Sequence, residues 1–91
     1  MRAIKIKMKQ GSFHSNSLLE IDEIYLTGCE NEGYFKKHIL YNYLKENPGT
    51  IQVNIYPYPD LKPALSINNE KYVRSESNNT ALDNLLALPR E

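Results

Sequence analysis

A chain of 91 residues with 11 Lys and Arg against 11 Asp and Glu has no formal net charge, which removes the basic excess expected of a general nucleic-acid binder. Leu, Ile, Val and Phe make up 23 of the 91 residues, above the roughly 20% level below which highly charged chains stay unfolded, and no apolar run approaches the roughly 18 residues of a membrane span. One small domain over residues 1–91 is expected, and a cytoplasmic one: the single Cys29 has no internal disulfide partner, and Lys5, Lys7 and Lys9 interrupt any apolar leader.

Ile4, Ile6 and Met8 alternate with Lys5, Lys7 and Lys9, so residues 2–9 read as a strand with an apolar and a cationic face. A polar loop follows, then a second apolar alternation whose parity shifts between Ile21 and Ile24, which predicts a bulge near Asp22 and Glu23. Four cations and no acid lie in residues 1–9, and five acids and no base in residues 20–32. Cross-strand pairing of Lys5, Lys7 or Lys9 with Glu20, Asp22 or Glu23 explains this segregation more simply than a functional basic patch.

Phe35, Ile39, Leu40, Tyr43 and Leu44 form a helical stripe, which predicts an amphipathic helix over 34–47, ended by Pro48 and Gly49 and with Asn31 as a candidate cap. Ile51, Val53 and Ile55 alternate within a third strand over 50–56. It runs into Tyr56, Pro57, Tyr58 and Pro59, whose prolines cannot donate to a ladder. Residues 64–67 and 70–75 flank Asn68 and Asn69, a pair suited to a two-residue hairpin turn with Leu65 facing Tyr72. Leu82, Leu85, Leu86 and Leu88 are too apolar to leave in water, so the tail is expected to fold back on the helix or a sheet edge, with Asn79 or Thr80 capping a short turn.

These elements give an α+β class in the order β-β-α-β-β-β, with one amphipathic helix on an antiparallel sheet of four or five strands. Chemistry is harder to find. His14, His38 and Cys29 are scattered, a catalytic reading would need a pocket lined by His38, Cys29 or Asp83, and the four dispersed glycines form no phosphate cradle. No catalytic, metal or cofactor site is therefore assigned. The stiff aromatic segment Tyr56, Pro57, Tyr58, Pro59 is the candidate partner surface, because exposed aromatics dominate protein contacts. Arg74, Asp83 and Asn84 are read as a structural clasp that pins the tail, in preference to a ligand site. A non-enzymatic binding or accessory module acting through an unidentified protein partner or self-association is expected, with no membrane role. The alternative is a single-stranded nucleic-acid binder that uses sheet tyrosines (Tyr25, Tyr56, Tyr58 or Tyr72) beside the N-terminal lysines.

Tyr72, Val73, Arg74, Ser75 followed by Asp83, Asn84, Leu85, Leu86, Ala87, Leu88, Pro89 resembles the C-terminal signature of a bacterial family of short proteins known only as a domain of unknown function. The helical segment from Gly33, Tyr34 and Phe35 through Tyr43 and Leu44 to Pro48 and Gly49 resembles the same family, so the likeness spans residues 33–90. Asn69 stands where that family's turn usually has glycine, and Lys36 where a capping Thr is common. The resemblance implies no activity, substrate or cofactor.

Overall fold

A computed structural model describes residues 1–76 and 83–91 of the chain. β1 (Arg2–Met8) pairs antiparallel with β2 (Ile21–Thr27), with Ile6 opposite Ile24. The pairing jumps from Lys7–Glu23 to Met8–Ile21, leaving Asp22 as the extra residue of a bulge where the parity shift predicts one. A second jump, from Ala3–Leu26 to Lys5–Tyr25, leaves Ile4 over. It inverts the alternation there, so Ala3, Ile6 and Met8 are the buried residues of β1 and Ile4 is not among them.

The helix begins later than its apolar stripe predicts. Gly33–Lys36 is instead β3, antiparallel to β2 with Phe35 opposite Ile24 and Tyr34 opposite Tyr25. Only then does α1 (Lys37–Glu46) start, capped at Lys36 without a side-chain bond, so Asn31 is not its cap. Phe35 meets the core from a strand, and the buried helical set is Lys37, Leu40, Tyr41 and Leu44, at i, i+3, i+4 and i+7. Ile39 and Tyr43, predicted to be buried, are 48% and 39% exposed.

The third predicted strand shrinks to β4 (Gln52–Val53), which runs parallel to β1 beside Arg2 and Ala3. The four-stranded sheet is therefore mixed, in the order β3-β2-β1-β4. β5 (Leu61–Leu65) and β6 (Lys71–Ser75) form a separate antiparallel pair. Asp60 links the two sheets, since it bridges to Gln52 and its carbonyl accepts from Glu76 N–H at 2.8 Å.

The hairpin turn also differs from expectation. Asn69 alone has positive φ, at 61°, so the two positive values that a two-residue type I′ turn requires are not met. Asn69 N–H donates to Ser66 O and Ser66 N–H to Glu70 O, while Ser66 Oγ accepts from the N–H groups of Asn68 and Glu70. The loop is thus three residues long, and the register slips by one, with Leu65 facing Lys71 and Ala64 facing Tyr72. Leu65 and Ile67 are left exposed.

One core joins these parts: Ala3, Ile6, Ile24 and Leu26 from the sheet, Leu40 and Leu44 from α1, Leu61 and Val73 from the hairpin, and Leu85, Leu86 and Leu88 from the tail. The Cα radius of gyration is 11.9 Å, close to the roughly 12 Å of a compact chain of this length. After a short 3₁₀ turn (Asn84–Ala87), the tail lies along the edge of β1 that β4 leaves free. Ile6 N–H donates to Pro89 O at 2.9 Å, and Glu91 N–H donates to Ile6 O at 3.0 Å. Among the described residues no helix is long and apolar enough to cross a membrane. The proposed caps Asn79 and Thr80, and Leu82, lie outside the described residues.

Candidate functional site

Three surface features and the clasp residues bear on function. The first is the aromatic loop after β4. Val53 N–H donates to Pro59 O at 2.9 Å and Tyr58 N–H to Ile55 O at 2.7 Å, so the loop is closed at its base. Tyr56–Pro57 is a cis peptide and Tyr58 sits at φ 61°. The Arg2 guanidinium lies 4.2 Å from the centre of the Tyr58 ring, within cation–π range. That contact holds Tyr58 onto the sheet, while Tyr56, 82% exposed, meets Tyr58 edge-on at 6.1 Å. The loop thus presents Tyr56 as its most exposed aromatic side chain, beside a partly exposed Tyr58, on a pinned base.

A second feature is the sheet face turned away from the core, which carries Lys5, Lys7, Glu23, Tyr25 and Tyr34. Tyr25 and Tyr34 pack edge to face at 5.1 Å, and Lys5 Nζ lies 4.7 Å and 5.8 Å from their respective ring centres. Its cations are mostly matched by carboxylates: Lys5 to Glu91 at 2.6 Å, Lys7 to Glu23 at 3.8 Å, and Lys36 to Asp22 at 3.1 Å. The hydrogen bond from Lys5 holds the Glu91 carboxyl below its ordinary range, and the same bond raises Lys5. Asp22 raises Lys36 in the same way. Burial, with the neighbouring Glu91 carboxylate adding to it, pushes the Tyr34 phenol up, and its hydroxyl is buried without a well-formed hydrogen bond.

The third feature is an open apolar groove of about 430 Å³ at the end of the sheet beside α1. Met1, Leu26, Cys29, Phe35, Ile39 and Tyr43 line it. It exists because Phe35 belongs to a strand, which leaves Ile39 and Tyr43 on a helix face that Phe35 does not continue.

Of the clasp residues, Asp83 accepts from Ser75 N–H at 3.1 Å and from Leu85 N–H at 2.8 Å. Its carboxylate therefore ties the end of β6 to the start of the last turn through backbone donors. Arg74 is exposed on β6, and Asn84 is buried. Two tail contacts carry no signal in residue spacing. Arg90 donates to the carbonyls of Phe13 and Ser15, both at 2.7 Å, and of Leu86 at 3.0 Å; Glu91 meets Lys5. Lys37, 8% exposed, donates to Leu19 O and Glu70 Oε2, both at 2.6 Å. That ammonium holds the Glu70 carboxyl below its ordinary value. The spacing Lys37, Leu40, Tyr41, Leu44 was the signal available for it.

The candidate catalytic residues do not share a site. Cys29 lines the groove, His38 is exposed on α1, His14 is exposed beside Phe13, and Asp83 is engaged at the end of β6. Among the described residues, no three His, Cys, Asp or Glu side chains gather where they would hold a metal ion. Among the described residues, fold and surface together define a small α+β domain with a mixed sheet, a hairpin and one α-helix. No protein-family model, no curated protein and no solved structure matches it.

Proposed function

We propose that this chain is a non-enzymatic binding or accessory module of the bacterial cytoplasm that acts through protein contacts, with Tyr56, Pro57, Tyr58 and Pro59 as its contact site. The observation that carries the reading is the nearly complete exposure of Tyr56 on a loop whose base is fixed by backbone bonds and by Arg2 under Tyr58. A large aromatic side chain with two rotatable bonds, on a preorganised loop, loses little entropy on contact and contributes much area. Photo-crosslinking from a benzoylphenylalanine at position 56 in native host cells tests it. A discrete protein adduct that disappears in the Tyr58→Ala background is the expected result. Crosslinks that are absent, or unchanged by Tyr58→Ala, contradict it.

A second reading is favoured by one arrangement: Lys5 between Tyr25 and Tyr34 on the outer sheet face resembles a stacking platform for single-stranded nucleic acid. The carboxylates of Glu23 and Glu91 beside those lysines oppose phosphate binding, which places this reading second. It predicts oligonucleotide binding that weakens steeply with salt. A labelled oligonucleotide that stays free at low salt eliminates it.

A further inference from the structure

β3 is an outer strand of the four-stranded sheet, and its free side is identifiable from the bonding pattern. Ile6 donates its N–H to Pro89 O and accepts at its C=O from Glu91 N–H, so its opposite residue Ile24 turns its own pair toward Phe35. By alternation, the N–H and C=O of Tyr34 point out of the sheet edge. The side chains of Tyr34 and Lys36 lie on the outer face, and Phe35 lies on the core side, at the apolar groove with Ile39 and Tyr43.

We propose that β3 pairs antiparallel with β3 of a second copy of the chain, around a two-fold axis at Tyr34, to form a continuous eight-stranded sheet. The charge pattern selects both the partner and the register. With Tyr34 opposite its own copy, Glu32 of each chain stands opposite Lys36 of the other, twice by symmetry, on the outer face. On the inner face each Phe35 lies across from Gly33 of the other chain, which has no side chain to obstruct it. The same dyad brings the two grooves, with half-exposed Ile39 and Tyr43, toward one another. A dyad at Lys36 would instead set two ammonium groups face to face. Lys36 already bonds Asp22, and a Glu32 oxygen accepts from Gly28 N–H. The new charge pairs therefore set register more than affinity, and the apolar groove and backbone bonds hold the pair.

This surface shares no residue with the aromatic loop, so its failure would leave the loop reading in place, and failure of the loop would leave this one. Sedimentation equilibrium of the full chain, with circular dichroism as the check on folding, tests the proposal. Wild type is expected to be dimeric. Glu32→Lys and Lys36→Glu are each expected to weaken dimerisation roughly tenfold, and the double exchange to restore it, because only the double exchange returns opposite charges to both pairs. Ile39→Asp, at a residue already half exposed in the single chain, should leave the fold intact and give monomer. A wild-type chain that remains monomeric to about 1 mM, or a double exchange no tighter than either single one, overturns it.

Discussion

Asp83 shows how much one side chain does here. Its carboxylate accepts from two backbone N–H groups on separate segments, Ser75 and Leu85, and Ser75 is buried. Asp83→Ala leaves those donors without their partner, and an unsatisfied buried donor costs about 1–3 kcal/mol. Chemical denaturation should show a loss of that size, with Asp83→Asn intermediate. Asn69 is the opposite case, because its φ of 61° is one that glycine adopts freely. Asn69→Gly should leave the unfolding free energy within about 1 kcal/mol of wild type, since relief of the left-handed strain is offset by greater freedom of the unfolded chain. Glu70 links charge to pH. Its hydrogen bond from Lys37 lowers its folded pKa from the ordinary 4.5, so the unfolded state binds its proton more readily. The contribution is fully present above 4.5 and lost as pH falls through the lowered value. Thermal unfolding followed from pH 6 to 3 should therefore decline more steeply in wild type than in Glu70→Gln.

At the level of elements, the sequence was informative where periodicity and turn chemistry agreed, and misleading where two periods overlapped. Asp22 and Glu23 announced their bulge, since a parity shift has few other causes. Tyr34, Phe35 and Lys36 alternate as a strand but also begin a plausible helical stripe with Ile39 and Tyr43, and the pairing of Phe35 with Ile24 decides between them. The parallel run of β4 beside β1 and the joint through Asp60 are long-range pairings that no local pattern encodes. Among the surface features, the aromatic loop was legible from its prolines. The groove was not, because it depends on Phe35 leaving the helix. Leu85, Leu86 and Leu88 were legible as buried, whereas the roles of Arg90 and Glu91 were not, as Arg90 reaches the carbonyls of Phe13 and Ser15 and Glu91 reaches Lys5, all more than 70 residues away. Leu85 is fully buried, so Leu85→Ala should cost about 2–5 kcal/mol by equilibrium unfolding. Arg90→Ala, which removes three carbonyl contacts, should cost less than Leu85→Ala.

At the scale of the whole molecule, the last segment completes the fold: Ile6 at the centre of β1 has β2 on one side and residues 89–91 on the other. With the tail committed to architecture, Asp83 and Arg90 are occupied in holding it, and the contacts proposed with other molecules lie at the aromatic loop and the β3 edge. Amide hydrogen exchange at Ile6 tests this most directly, because its N–H lies on the tail side and bonds to Pro89 O. Ile6 is expected to exchange as slowly as the core amides of β2, together with a protected amide at Leu86. Exchange of Ile6 at the rate of an unstructured peptide, with β2 still protected, would contradict it.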